Sequence, residues 1–332
     1  MSAIDPRPVA AQRAWGLERP SLGISLGGAH AVDQFARHRE WVARAESLDL
    51  HSVWLPEMHF APGVCPTPLI ELAGHAAATR RLRLGTTSLL LPLHPPASLA
   101  SEIATLDRLS EGRLLLGLGR GFQPRMLAAF RVPPAEKRDR FDEALDRMLA
   151  LWAEGNDSKS ALATLQRPHP PLAVAAFGPK GLAQAARRGL PYLASPVETL
   201  EQIEANQRRH RSGLPATGVR VLSIVMRSVF VSEDAGERAN AREALAREFA
   251  GRRPGMPAAI HDALDAPLDE RVVIGNATEV RSRLAEIHRR LDFDLLIVRP
   301  QIGGLASSAL ERSLERLATE IWPVLEETSG NA

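Results

Sequence analysis

The stretch Leu114–Phe122, LLLGLGRGF, decides the fold. Leu114, Leu115, Leu116 and Leu118 are interrupted only by glycine, a run that suits a parallel strand buried on both faces. Gly119, Arg120 and Gly121 end it abruptly. Glycine lets backbone N–H groups approach a ligand, and arginine offers a planar fork of donors that fits a phosphate. The pattern reads as a phosphate site at the end of a buried strand. A plain turn with Arg120 facing water is the alternative, and the rest of the chain has to decide between them.

Working outward, the run has counterparts on both sides. Strands are expected at Ser21–Leu26, Ser52–Leu55, Leu82–Leu91, Leu172–Ala176, Tyr192–Ala194, within Val219–Val231 and at Asp294–Val298. Helices are expected between them. One runs from a cap at Asp33 to about Leu48, with Phe35, Val42 and Ala45 on its apolar face. Others cover Thr67–Thr79, Ser98–Leu109, Glu136–Trp152, Lys180–Arg188, Glu198 to about His210, Glu233–Phe249, Thr278–Leu291 and Ser307–Glu327. The segments 155–171 and 251–271 read as irregular and proline-rich. Eight strands alternating with helices imply a parallel sheet with right-handed crossovers. Gly27-Gly28 after the first strand lacks a dinucleotide fingerprint, so the expected fold is α/β, a (β/α)8 TIM barrel, rather than a doubly wound sheet. One domain is expected over 21–328, preceded by a loosely ordered arm at 1–20.

Composition is that of a globular protein with an ample core. The chain has 332 residues, 45% of them hydrophobic and 24% charged, and 41 basic side chains nearly balance 39 acidic ones. Arginines and acids are interspersed, with no basic block interleaved with aromatics, which argues against nucleic acid as a partner. The start of the chain lacks the apolar core of a signal peptide, and no window approaches a membrane span, so a cytoplasmic location without membrane association is expected. Cys65 is the only cysteine, which excludes an intrachain disulfide and a cysteine-based zinc cluster, and no metal site is expected.

Barrel chemistry sits at the C-terminal ends of the strands. There the sequence places Glu57 and His59 after strand two, Thr86, Thr87 and Ser88 in strand three, and Arg120, Gly121 and Phe122 after strand four. Phe177, Gly178, Pro179, Lys180 and Gly181 follow strand five at a helix start, whose N–H groups and dipole favour an anion. Each has a plainer reading. His59 could bond to backbone in a loop, the hydroxyls of 86–88 could satisfy one another, and 178–181 could be only a turn. Glu57, between Pro56 and Met58 at a strand end, reads as inward-facing. Cys65 reads as inert, and Glu102/Asp107 and Glu326/Glu327 as solvated helix faces.

The motifs then take on a family likeness. AESLDLHSVWLPEMHF resembles the second-strand signature of the bacterial luciferase-like flavin monooxygenases. LRLGTTSLLLPLHPPASLASEIATLDRLSEGRLLLGLGRGF is similar to the same family throughout, including Leu91-Pro92…His94-Pro95 and Asp107…Ser110-x-Gly112-Arg113. VAAFGPKGLAQAARRGLP and VIGNATEVRSRL…DFDLLIV also fit. The resemblance implies a barrel that takes reduced FMN as a co-substrate with O2 to oxidise a small organic substrate. It implies a phosphate held by Arg120, by Gly178–Gly181 and by a second arginine, Arg138 or Arg140. It also implies a non-prolyl cis peptide within Thr86–Ser88, beneath the flavin ring. His59 with Glu57 would be the catalytic pair, since the adjacent position where the light-emitting subunit carries its catalytic histidine is Met58. The segment 155–171 looks shorter than in relatives. A separate flavin reductase and a homodimer are expected partners. A deazaflavin-dependent hydride-transfer oxidoreductase and a non-catalytic flavin-binding subunit are the alternatives.

Overall fold

A computed structural model describes residues 12–17, 20–27, 34–60, 65–154, 162–216, 220–252 and 260–329. Asp33, Gly28, residues 155–161 and residues 253–259 lie outside the described residues. The chain divides into two compact units, one of residues 26–172 and one of residues 1–25 with 173–332.

The unit 26–172 holds three parallel strands: β2 (Ser52–Leu55), β3 (Arg83–Leu90) and β4 (Leu114–Gly119). All six residues of β4 are buried, as the apolar run requires. β2 packs on β3 through a size exchange, because Trp54 lies opposite Gly85 and a Cβ on Gly85 would sit 2.3 Å from the indole. The helices Gln34–Ser47, Pro68–Ala78, Pro96–Leu109 and Lys137–Glu154 follow the expected order, joined by a short helix, Pro124–Ala129, that the sequence reading did not include. Phe35, expected on the apolar face with Val42 and Ala45, is not part of it. The buried stripe of its helix is Gln34, His38, Trp41, Val42 and Ala45, and Phe35 is 57% exposed.

Asp107 also needs correcting, since it is fully buried rather than solvated. Its carboxylate accepts from the Leu165 and Gln166 N–H groups at 2.6 and 2.8 Å and from Gln166 Nε2 at 2.7 Å. Glu102 and Glu326 are not buried, and each accepts a bond within its own helix, from Ser98 Oγ and Trp322 Nε1. Arg113 pins the same end of the unit, donating to Ser110 O, Leu82 O, Ala76 O and Thr79 Oγ1. Those bonds replace water around a half-buried guanidinium.

The other unit holds β1 (Ser21–Ser25), β5 (Leu172–Ala175, from its second residue), β6 (Tyr192–Leu193), β7 (Ile224–Val231), β8 (Val272–Gly275) and β9 (Leu295–Arg299). Here too every ladder is parallel: β5 pairs with β6, β6 with β7, β7 with β9, and β9 with β1. β7 is buried over its whole length and serves three partners, β6 at Ile224, β9 along Ile224–Ser228 and β8 along Ser228–Val231. β8 is the strand the sequence reading missed, because Val272–Gly275 is too short to show a period beside the irregular segment before it. That segment also contains the helix His261–Asp265. Capping boxes start the helices Leu200–Ser212 (Thr199 with Gln202) and Ala277–Leu291 (Asn276 with Glu279). Trp15 and Leu17, in the stretch expected to be a loose arm, are buried, and Gln12 Nε2 donates to Asp294 Oδ1 at 3.3 Å.

Candidate active site

The polar strand ends of the unit 26–172 meet around Glu57. Its side chain is buried, and its two oxygens collect four contacts. His59 Nε2 lies 2.9 Å from Oε1, His94 Nε2 lies 3.0 and 3.1 Å from Oε1 and Oε2, and the Leu90 N–H donates to Oε2 at 2.7 Å. A carboxylate only accepts, so both histidines present Nε2–H to it and keep Nδ1 for another partner. Burial works against protonation of His94, but the hydrogen bond and charge of Glu57, with Glu102 behind them, outweigh it and hold His94 above the ordinary histidine range.

The backbone explains why Glu57 is held there. The β3–β4 register shifts between Thr87 and Leu89, so Ser88 falls out of the ladder. Its carbonyl accepts the Glu57 N–H at 3.2 Å. The Thr87–Ser88 peptide is cis, at the position the resemblance implied. Thr86 is buried and donates to Gly117 O at 2.9 Å, so its hydroxyl is satisfied by backbone and not by Thr87 or Ser88. Gly119 makes room for Ser88, since a Cβ there would stand 2.0 Å from Ser88 Oγ.

Behind this loop a second polar cluster is buried. Glu71 accepts from His38 Nδ1 at 2.6 Å, with His75 Nε2 at 3.4 Å and the Cys65 thiol also bonded to it. Burial opposes ionisation of Glu71, and these partners overcome it, bringing the carboxyl down to about 2. Burial and the Glu71 charge push the Cys65 thiol up, which fits its reading as inert. The Cys65 carbonyl in turn accepts the Met58 N–H at 2.8 Å, tying this cluster to the loop that carries Glu57 and His59.

Cations gather beyond β4. Arg120 is largely buried and brought down to about 10, first by burial and then by the charge of Arg138, with Asp142 working the other way. Lys137 is lowered by burial, Arg138 and Arg120. The Arg120 guanidinium also lies 5.8 Å from the Phe141 ring centroid. Of the two arginines the resemblance left open, Arg138 is the one whose charge falls on Arg120. Arg140 is bound instead to Glu136 at 2.8 and 3.0 Å and to Arg131 O. Gly121 takes φ +71, where a side chain would be strained and would meet Met126 at 2.8 Å, and Phe122 beside it is half-buried.

In the other unit, Gly178 is extended and starts the helix Pro179–Arg187 without a side-chain cap. Pro179 fills the first position, and the Gly181 and Leu182 N–H groups turn back to Gly178 O at 3.0 Å. Phe177 is half-buried, and Lys180 is exposed.

Sequence reasoning missed His94 as a site residue. The available signal was its place in Leu91-Pro92…His94-Pro95, which had been used only for the family likeness. Among the described residues no group of histidine, cysteine or acidic side chains could hold a metal ion. No helix of the described residues is long and apolar enough to cross a membrane.

Comparison with known proteins places this geometry in context. Residues 17–292 match the family model described as luciferase-like monooxygenase. The oxygenase component of flavin-dependent trigonelline monooxygenase from Acinetobacter baylyi is 28% identical over 86% of this chain and 88% of its own. An F420-dependent glucose-6-phosphate dehydrogenase from Kineococcus radiotolerans is 33% identical over 59% of this chain and 64% of that protein. The crystal structure of monooxygenase RslO1 from Streptomyces bottropensis superposes with a TM-score of 0.78 at 28% identity, covering 92% of this chain and 99% of that one. The (β/α)8 class expected from the strand count is therefore the fold, and the chain belongs to the luciferase-like monooxygenase family of flavin-dependent oxidoreductases.

Proposed function

We propose that this chain is the oxygenase of a flavin-dependent monooxygenase that takes reduced FMN and O2 and oxidises a small organic substrate. The crowding of Arg120, Lys137 and Arg138 carries the reading. Burial and then the charge of Arg138 work against protonation of Arg120, and burial with both arginines works against that of Lys137; a bound dianion would ease this crowding, and a flavin phosphate is one. The backbone of Gly121 and Phe122 is a further candidate for that phosphate, and the helix start Phe177, Gly178, Pro179, Lys180 and Gly181 is a candidate for anion binding in its own unit. Thr86, Thr87 and Ser88 are candidates for the ring side. A bound reduced flavin would supply the electrons that O2 needs.

The remaining work falls to the chain's own residues. Glu57 orients His59 and His94 through Nε2, which leaves an Nδ1 on each to take or give a proton at the substrate or oxygen side. Met58 moves no proton, so the two histidines share that duty. The N-terminal Gly27-Gly28 pair lacks a dinucleotide fingerprint, so reduced flavin comes from a separate reductase, as the word "component" in the Acinetobacter relative's name suggests for that protein. A homodimer is the proposed assembly and the cytoplasm the proposed location.

A deazaflavin coenzyme in hydride transfer is the second reading, favoured by the F420-dependent Kineococcus relative. Both readings are tested by anaerobic titration of wild type and Arg120→Ala with reduced FMN and with the reduced deazaflavin. Binding of FMN that weakens at least about ten-fold in the variant supports the first reading. Binding of the deazaflavin alone moves the assignment to the second, and binding of neither overturns both.

A further inference from the structure

Next to the Glu57 clamp, three rings stand together, and the steps above use only one of them, His59. The His59 centroid lies 4.8 Å from that of Phe130 and 5.8 Å from that of Phe60, and Phe60 and Phe130 are 6.3 Å apart. Phe130 is half-buried on an apolar base of Leu90, Leu93, Met126, Leu127 and Val132. Phe60 is the opposite case. It is 53% exposed and holds φ +61, a left-handed conformation unfavourable for a bulky side chain. A phenylalanine kept in water in such a conformation gains nothing for the fold that a polar residue would not supply better.

Arg125 completes the group. Its guanidinium lies 5.6 Å from the Phe60 centroid, and among the described residues it pairs with no carboxylate. Among the described residues the exposed Arg81, Arg247 and Arg312 pair with carboxylates, whereas Arg125 lies against an aromatic ring. His59 belongs to both groups, so whatever lies on the rings also lies beside the clamp.

We propose that His59, Phe60, Phe130 and Arg125 form a substrate subsite for a flat, conjugated ring that carries a carboxylate or similar anion. The rings receive the planar body by offset or edge-to-face contact, and Arg125 receives the anion through its fork of donors. The proposal rests on the flavin-monooxygenase reading for its chemistry, but not for its binding.

The test therefore measures binding, not turnover. By calorimetry, 2-naphthoate, its saturated decahydro analogue and 2-naphthamide are titrated into the wild type and into Phe60→Leu, Phe60→Trp, Phe130→Leu and Arg125→Ala. Each titration is run with and without reduced FMN. In the wild type, 2-naphthoate should bind about ten-fold tighter than either control. Phe60→Leu and Phe130→Leu should bring the ratio of aromatic to saturated ligand towards one, and Phe60→Trp should keep it. Arg125→Ala should abolish only the preference for acid over amide. A wild-type ratio near one under both conditions overturns the subsite, and so do ratios that survive all the variants. If reduced FMN binds but the ligand preference is absent, the subsite fails and the flavin reading stands. If the preference is present and reduced FMN does not bind, the flavin reading fails and the subsite stands.

Discussion

Replacing Asp107 should destabilise the protein more than any other single carboxylate truncation in residues 26–172 outside the Glu57 and Glu71 clusters. The side chain is fully buried and receives three hydrogen bonds, two from the consecutive N–H groups of Leu165 and Gln166 and one from the Gln166 amide. Bonds to a charged acceptor contribute roughly 1.5–3 kcal/mol each. Asp107→Ala removes all three and leaves two backbone donors facing a void, although water entering beside the exposed Leu165 recovers part. The expected loss is about 3–5 kcal/mol. With about 2.1 cal/mol/K of unfolding entropy per residue, a chain of 332 residues loses roughly 4–7 °C in Tm. Asp107→Asn is milder. Its single carbonyl can still accept from the backbone, but its NH2 then faces Gln166 Nε2. Gln166 must turn its amide and give up the 2.8 Å bond to Leu114 O. That variant should lose about 1–2 kcal/mol. Urea and thermal unfolding followed by circular dichroism read both. If Asp107→Ala unfolds within about 0.5 kcal/mol of wild type, the range of an ordinary surface change, the accounting for this carboxylate is wrong.

Glu57→Gln should lower the titration midpoint of His94, whose protonated form Glu57 supports; an unchanged midpoint in ring-proton NMR would show that the clamp does not couple the two. Gly119→Ala should cost about 1–3 kcal/mol through its 2.0 Å approach to Ser88 Oγ. Adding Ser88→Gly should recover part of that loss, and strictly additive effects in the double-mutant cycle would deny the contact. Glu198 should make stability fall with rising pH. Burial raises its carboxyl from 4.5 to about 7, against the bonds from Tyr192, Ser195 N–H and Asn206 and the charge of Arg227. The folded state therefore holds this proton more tightly than the unfolded chain does. Its contribution is fully present below about 4.5 and is lost as pH climbs to about 7. Glu198→Gln should flatten that part of the stability profile, and a profile of unchanged slope would reassign it to other groups.

The sequence carried the architecture well because parallel strands buried on both faces leave continuous apolar runs, as Leu114–Leu118 and Leu295–Val298 do. It failed where the deciding interaction is tertiary. Asp107 lies on the buried stripe of its helix with Ala100, Ile103 and Ala104, but an acid reads as solvated until Leu165 and Gln166 return to supply its partners. Phe35 is apolar yet faces out because the stripe beside it, with His38 bonded to Glu71, already fills the interface. β8 is four residues long, shorter than any period needs to declare itself. In the site, Glu57 and His59 were legible as neighbours on one loop. His94, 37 residues from its partner, was not, since no spacing rule links a strand end to the turn after the next strand.

Cys65 gives this protein an internal stopwatch. It is the chain's only sulfhydryl, it is fully buried, and the Glu71 charge beside it suppresses the thiolate. A disulfide reagent therefore meets no reactive sulfur until the segment behind Met58 opens, and each labelling event counts one such opening. Because the Cys65 carbonyl holds the Met58 N–H, that count follows the excursions of the loop bearing Glu57 and His59. Ligands that quieten the loop will slow the labelling, so occupancy of the site can be timed with no added dye, tag or engineered residue.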